Sequence, residues 1–125
     1  MTDALVQAHR LQQRAAGVGF DWPDARGPLD KVKEELRELE HETGKGKRDR
    51  LEDEIGDLLF AVVNLARKLD VEPAHALERA NAKFARRFAA VERLAAERGV
   101  PLGRASLAQL DRLWEEVKGT QGHNL

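Results

Sequence analysis

The stretch LEDEIGDLLFAVVNLA, residues 51–66, decides the fold class of this chain. Its apolar residues recur at spacings of three and four, which is the period of an α-helix. The members of this stripe are Leu51, Ile55, Leu58, Val62 and Leu65. Gly56 and Asp57 interrupt the apolar sequence, and three acids precede them. The segment therefore predicts a strongly apolar helix and raises the question of why a carboxylate lies inside it.

Similar helical patterns fill the rest of the chain, separated by short segments rich in glycine and proline. No alternating strand pattern and no internal repeat occurs, so the sequence predicts an all-α fold. We expect a compact bundle of four main helices with a short extra C-terminal helix, formed by a single domain over 1–118 with a frayed tail at 119–125. The predicted helices span about 3–16, 28 or 29 to 42, 51–69, 73–98, and a short segment after Ser106.

Several helix ends carry local signals. Thr2 or Asp3 is the expected cap of the first helix, and Ser106 with Gln109 three residues later is the pattern of a capping box. The loop GVGFDWPDARGP after the first helix carries Phe20 and Trp22, which are large groups for a loop.

Composition excludes several classes of protein. The 125 residues have a formal net charge of −1, which argues against a dedicated nucleic-acid binder. The chain has no cysteine, so disulfides and thiolate metal sites are excluded. The N-terminus lacks the pattern of a signal peptide, and the run LLFAVV is too short to span a bilayer. We therefore expect a cytoplasmic protein with no nucleic-acid or membrane partner.

Acidic residues form a constellation on two successive helices. Glu35 and Glu38 are three residues apart, Glu34 is one turn from Glu38, and Glu54 and Asp57 repeat the three-residue spacing. Such neighbours project about 5–6 Å apart on one helix face. If the two helices pack antiparallel, the acid pairs face each other, and oxygen-only ligands favour Mg²⁺ or Mn²⁺. The alternative is a solvated acidic face.

The apolar surroundings of Asp57 favour the metal site, since a buried carboxylate is expensive unless it is paired or metal-bound. Gly56 costs about 1 kcal/mol in a helix interior relative to alanine. We therefore expect a neighbouring backbone or a ligand to approach closely at Gly56.

A basic stripe on the fourth helix is the candidate counterpart of the acids. Lys83 and Arg87 are one turn apart and would bind the outer phosphates of a nucleotide beside a metal cluster. Arg79 and Arg86 are better explained as a solvated face. Asn64 or Asn81 would hydrogen-bond a sugar or base, or be ordinary solvated amides.

The two tryptophans have alternative roles as well. Trp22 would either stack on a base or plug the end of the bundle, and Trp114 is expected in the core of the last helix. The run LLFAVV makes the third helix apolar on more than one face, which predicts that a second protomer buries the excess.

The segments KVKEELRELE, LEDEIGDLLFAVVNLARKL and ALERANAKFARRFAAVE resemble MazG-type nucleoside triphosphate pyrophosphohydrolases of the all-α NTP pyrophosphatase superfamily. The likeness is greatest to the catalytic C-terminal domain of two-domain MazG, here as a stand-alone version. The family hallmark is Glu-Glu-x-x-Glu followed by Glu-x-x-Asp on the next helix. The resemblance implies a homodimer or a dimer of dimers. It assigns Mg²⁺ to Glu35, Glu38, Glu54 and Asp57, phosphate contacts to Lys83 and Arg87, and a link with activity to Trp114.

The implied reaction is Mg²⁺-dependent hydrolysis of a nucleoside triphosphate to the monophosphate and pyrophosphate, which would cleanse nucleotide pools or control NTP levels. The expected mechanism is attack of a metal-activated water on the α-phosphorus, with Glu34 or Glu38 orienting or deprotonating the water. Two alternatives stay open. One is a narrower dUTP or dCTP pyrophosphatase of the same fold. The other is a non-enzymatic helical interaction module, in which the basic loop 45–50 would dock a partner.

Overall fold

The computed structural model describes residues 3–44 and 46–121. These residues form five α-helices and no β-strand, which confirms the predicted all-α fold class. The helices are α1 (Ala4–Gly17), α2 (Arg26–Glu42), α3 (Arg48–Lys68), α4 (Pro73–Arg98) and α5 (Leu107–Gln121).

Contacts within the chain divide it into two compact units, Met1–Ala76 and Leu77–Leu125. The first unit holds α1, α2, α3 and the first turn of α4, and the second holds the rest of α4 and α5. The assignment of one domain to 1–118 stays a prediction.

In the first unit, both α1 and α2 pack against α3. The apolar pattern of α3 accounts for this central position, since Ala61 and Val63 are buried. Asp3 caps α1 as expected, because its carboxylate accepts hydrogen bonds from the N–H groups of Leu5 and Val6.

Two helices of this unit begin earlier than their sequence signals indicate. α2 has no side-chain cap. Because it starts at Arg26, Gly27 and the buried Pro28 lie inside its first turn. Proline is tolerated throughout a first turn, where its missing N–H has no partner to lose. α3 starts at Arg48, so part of the predicted basic loop 45–50 is helical, while Lys45 lies outside the described residues.

The second unit is built on an apolar contact between α4 and α5. Val91 and Ala95 of α4 are buried with Leu113 and Val117 of α5. The capping box that begins α5 is confirmed, since Gln109 N–H donates to the Ser106 hydroxyl and Ser106 N–H donates to the Gln109 side chain.

α5 continues to Gln121, so the predicted frayed tail is wrong for residues 119–121, which extend the helix. Residues 122–125 of that tail lie outside the described residues. Among the described residues, no helix combines the length and the apolar character needed to cross a membrane.

Candidate active site

Three glutamates meet where α2 packs against α3. Glu35 and Glu38 come from α2 and Glu54 comes from α3, and one carboxylate oxygen from each lies within 4.8 Å of the others. The three-residue spacing on α2 places its two acids on one helix face. Packing of α3 against that face adds the third carboxylate. We call Glu35, Glu38 and Glu54 the acid cluster.

Hydrogen bonds among the described residues reach only part of the acid cluster. Glu35 is only 4% exposed. One oxygen each of Glu35 and Glu54, the Oε2 atoms, is buried and receives no hydrogen bond from the described residues. Burial, followed by the charge of Glu38, raises the pKa of the Glu54 carboxyl above its usual range. Three carboxylates held together in this way are suited to a cation supplied from outside the chain.

Lys31 is a cation of the chain that does reach the cluster. Its Nζ lies 3.3 Å from Glu35 Oε1 and 3.5 Å from Glu34 Oε2. These acids raise the pKa of the Lys31 ammonium, with the hydrogen bond to Glu35 as the largest cause. Sequence reasoning missed Lys31, although its four-residue spacing from Glu35 is the signal of a helical ion pair.

The acid cluster fits a divalent cation by its chemistry. All of its donors are carboxylate oxygens, which suit Mg²⁺ or Mn²⁺ better than softer metals. Glu35 is buried, Glu54 is half-buried and Glu38 is exposed, so the cluster runs from the protein interior to solvent. A metal held there would be accessible to a substrate.

Asp57 and Gly56 do not have the surroundings predicted for them. The Asp57 side chain is exposed, so the expectation of a buried carboxylate is wrong. On a helix, the apolar residues that are adjacent to Asp57 in sequence point in other directions, so they do not enclose its side chain. Apart from its chain neighbours and the backbone of its own helix, no described residue comes within 4 Å of a Cβ added at Gly56, so the predicted approach of a neighbouring backbone is also wrong.

Asp57 lies outside the group of three oxygens but lines an open cavity beside it. We call this space, of about 350 Å³, the acidic cavity. Lys31, Glu35 and Asp57 form its polar wall. Its other lining residues are Trp22, Pro28, Phe60, Ala61 and Asn64. Glu34, by contrast, is on neither this lining nor the acid cluster.

A second open cavity, of about 460 Å³, adjoins the first and shares Trp22, Phe60 and Asn64 with it. We call it the aromatic cavity. Its remaining lining residues are Leu11, Gln12, Ala15, Phe20, Asp21 and Arg67. Aromatic and aliphatic walls with a few polar groups are typical of a site for a small organic ligand.

Trp22 does not act as a buried plug, since it is 39% exposed and lines both cavities. Its indole lies directly over Gly27, where an added Cβ would overlap the six-membered ring. The sequence indicated Asn64 as a hydrogen-bonding candidate but did not indicate Gln12. The Gln12 Nε2 donates to Phe60 O at 3.0 Å, a contact between residues distant in sequence.

The loop bearing Trp22 is attached to α3 by an ion-pair network. Arg67 Nη1 donates to Asp21 Oδ2 at 3.0 Å, and Lys68 Nζ donates to the same oxygen at 3.2 Å. Arg67 Nη2 also donates to Asn64 Oδ1 at 2.8 Å. The Arg67 guanidinium holds the pKa of the Asp21 carboxyl well below its usual range.

The remaining predicted site residues belong to the second unit. Lys83 is half-buried, Arg87 is buried and Asn81 is exposed. Trp114 packs against the apolar core between α4 and α5, as expected, and its ring centroid lies 5.4 Å from that of Phe84. The catalytic and binding roles of these four residues stay predictions.

Comparison with known proteins places these features in a family. The family model for the MazG nucleotide pyrophosphohydrolase domain matches residues 28–91, which include the acid cluster, Asp57, Lys83 and Arg87.

Individual relatives match over a longer stretch. The chain is 44% identical to the nucleoside triphosphate pyrophosphohydrolase/pyrophosphatase MazG of Thermotoga maritima over 119 residues, which cover 95% of this chain and 46% of that protein. It is 45% identical to a nucleoside triphosphate pyrophosphohydrolase of Escherichia coli over 117 residues, covering 92% of this chain and 44% of the relative. The chain thus spans less than half the length of these curated relatives, and by sequence it belongs to the MazG nucleotide pyrophosphohydrolase domain family.

Proposed function

We propose that this protein hydrolyses nucleoside triphosphates to nucleoside monophosphate and pyrophosphate in a Mg²⁺-dependent reaction. The acid cluster is the observation that carries the proposal, because it gathers three carboxylates, two of which keep a buried oxygen without a hydrogen bond from the described residues. Members of the family generally depend on a metal ion. Its physiological role would be to cleanse nucleotide pools or to control NTP levels, in the cytoplasm where nucleoside triphosphates are used.

Glu35, Glu38 and Glu54 would hold Mg²⁺, with Mn²⁺ as a substitute, and Asp57 would approach from the lining of the acidic cavity. When bound, Mg²⁺ supplies charge neutralisation for the triphosphate and lowers the pKa of a coordinated water. Lys31 would hold its ammonium beside the phosphates, since it already lines the acidic cavity through its contact with Glu35.

Glu38 is the better of the two predicted candidates for orienting the attacking water. It is the exposed member of the acid cluster and is therefore open to solvent and substrate. Glu34 lies outside the cluster and contacts Lys31 instead. A carboxylate acts as a base when it lies within hydrogen-bond reach of the water that it deprotonates.

Lys83 and Arg87 are proposed to stabilise the phosphates, and Asn81 and Trp114 to bind other parts of the substrate. Family membership supports these four roles, because the matched segment includes Lys83, Arg87 and Asn81 and the longer alignments extend over most of the chain. The ammonium and guanidinium groups would neutralise charge that develops during cleavage.

The aromatic cavity is proposed to receive the nucleobase. Trp22 and Phe60 border both cavities, so a base beside them would leave its phosphates directed towards Glu35 and Lys31. Stacking on aromatic side chains tolerates every base, because each has a π-face. A general NTP substrate range follows from this type of recognition.

We further propose that the protein assembles as a homodimer or a dimer of dimers. Leu59 and Val62 of α3 are 58% and 43% exposed, as expected if a second copy covers this face of the helix. Light scattering at micromolar concentration should return a dimer or tetramer mass, and a monomer mass would contradict the proposal.

The activity is tested by incubating each NTP with the protein, with Mg²⁺ and with chelator, and separating the products by chromatography. Equal amounts of monophosphate and pyrophosphate are expected, only with Mg²⁺. Diphosphate and orthophosphate as primary products would contradict cleavage of the α–β bond. Activity confined to dUTP or dCTP would establish the narrower pyrophosphatase, and absence of all hydrolysis would favour the non-enzymatic module.

A further inference from the structure

We infer that Asp21, Arg67 and Gly27 are positioning residues that hold Trp22 as a fixed wall of the nucleobase site. This inference rests on the proposed function, because it assumes that the aromatic cavity takes the base of a nucleoside triphosphate. None of the three residues needs to touch the phosphates or the acid cluster. All three act on Trp22. Asp21 and Arg67 fix its backbone, and Gly27 leaves space for its ring.

The backbone of Trp22 is held by the carboxylate that precedes it. Trp22 N–H donates to Asp21 Oδ1 at 2.8 Å, and that carboxylate is bound by Arg67 and Lys68 of α3. The ion pair is shielded, since the Asp21 and Arg67 side chains are only 20% and 13% exposed. Shielded, bidentate pairs of this kind fix geometry better than solvated pairs.

The loop of residues 18–25, between α1 and α2, is attached at both of these helices' ends and also to α3. Backbone hydrogen bonds from Gly19 and Phe20 to the end of α1 hold its start, where the side chains of Val18 and Phe20 are 84% and 81% exposed, and the Asp21 network attaches the next residues to α3. Gly19 has a φ of +88°, a backbone conformation that marks a sharp change of chain direction. The bond from Arg67 to Asn64, another residue of the cavity lining, extends the same network along α3.

The ring of Trp22 occupies the space that a side chain at position 27 would fill. An added Cβ would overlap the six-membered ring of the indole, so even alanine would force the ring to move. Gly27 has no positive φ, and alanine favours a helix more than glycine does. The requirement at Gly27 is therefore space for the indole and not backbone freedom. This separates an effect on Trp22 from an effect on folding.

The expected consequence is a loss of base binding without a loss of chemistry. Stacking of one base on an aromatic side chain contributes enough that its loss weakens binding by about tenfold. Gly27→Ala should raise the Kd for an α,β-methylene nucleoside triphosphate and the KM for the matching NTP by about tenfold. kcat should stay within about twofold, because uniform binding is lost and not stabilisation of the transition state.

The experiment compares Gly27→Ala with Gly119→Ala, which makes the same change at a helical glycine where the added Cβ would meet no described atom within 4 Å beyond its own helix. Asp21→Asn is compared with Glu116→Gln, which weakens the exposed ion pair to Arg98. Calorimetry measures the Kd of the methylene analogue and of tripolyphosphate, a probe without a base, both with Mg²⁺. Thermal melts establish that each variant is folded.

Weaker binding of the analogue by Gly27→Ala and Asp21→Asn, with unchanged binding of tripolyphosphate and unchanged controls, supports the inference. If Gly27→Ala binds the analogue as tightly as Gly119→Ala does, the inference is overturned. Hydrolysis of NTP by the wild-type protein would in that case still support the proposed function. Equal weakening for the analogue and tripolyphosphate also overturns it, since the effect would then not be on the base. Wild-type protein that neither binds nor hydrolyses any NTP rejects the proposed function, and the inference with it.

Discussion

The carboxylate of Asp21, which is bound to α3, and the carboxylates of the acid cluster have opposite electrostatic surroundings. At Asp21, the Arg67 guanidinium, the Lys68 ammonium and the Trp22 N–H all favour the ionised form, so the pKa of the carboxyl is lowered. At Glu54, burial and the charges of Glu38 and Glu35 disfavour the ionised form, and the pKa is raised. The same chemical group therefore stabilises the fold in one place and strains it in the other.

The difference separates an acid whose charge the chain compensates from acids whose charge a bound cation would compensate. Asp21 has its full complement of donors within the chain, as expected of a residue whose task is to hold a loop. Glu35 and Glu54 each have a buried oxygen that accepts no hydrogen bond from the described residues, although Lys31 contacts the other oxygen of Glu35. Repulsion between clustered carboxylates is tolerated where function requires the cluster.

The largest effect is expected from removing one charge of the acid cluster. Glu35→Gln should lower NTP hydrolysis by about 10³, because the buried oxygen that would hold the metal becomes a neutral amide. Glu52→Gln is the matched control on α3, since Glu52 is exposed and outside the cluster. Steady-state rates with saturating Mg²⁺ measure both, and equal losses in the two variants would contradict a special role for the cluster.

Lys83→Ala tests whether cations beyond the first unit contribute to the same chemistry. We expect turnover to fall by ~10²–10³, the scale for removal of one group that stabilises a transition state. Arg79→Ala, an exposed change on the same helix, should leave turnover within about twofold. A folded Lys83→Ala protein with full activity would return Lys83 to the solvated face of α4.

The stability of the metal-free protein should respond to pH in opposite ways at the two groups. Because the folded pKa of Glu54 lies above 4.5, the folded state holds more protons between that value and the raised pKa, and its contribution to stability rises as pH falls. Because the folded pKa of Asp21 lies below 3.8, its contribution is present at neutral pH and is lost as pH falls below that value.

Urea unfolding from pH 7 to pH 3 in chelator measures both contributions. In Glu54→Gln, the free energy of unfolding should no longer rise on mild acidification. Asp21→Asn should be less stable than wild type at pH 7, and its free energy of unfolding should fall less between pH 7 and pH 3. Parallel pH profiles for wild type and Glu54→Gln would show that the acid cluster carries no strain.

Local sequence patterns were sufficient for features that depend on neighbours within one helix. The caps at Asp3 and Ser106 and the Glu35–Glu38 pair follow from contacts two or three residues apart. The packing of α2 on α3, which brings Glu54 to that pair, is the condition on which the predicted meeting of the acid pairs depended. Lys31 had an equally local signal and was overlooked.

Features set by tertiary contacts were beyond such patterns. The pair of Asp21 and Arg67 joins residues 46 positions apart, and nothing in either segment specifies the partner. The burial predicted for Asp57 is wrong because residues adjacent in a helical sequence point in different directions, and the Asp57 side chain is exposed. The start of α2 at Arg26 had no capping residue to announce it.

The most direct test of the account is the Mg²⁺-dependent shift in thermal unfolding of wild type, Glu54→Gln and Asp57→Asn. Mg²⁺ that binds only the folded cluster should stabilise wild type by roughly 1.4 kcal/mol at about ten times its Kd. Each variant should show a smaller shift, Glu54→Gln the smallest, and Glu54→Gln should melt higher than wild type in chelator because repulsion is relieved. An equal Mg²⁺ shift in all three proteins, with equal hydrolysis of NTP, would contradict the claim that these acids form a metal site.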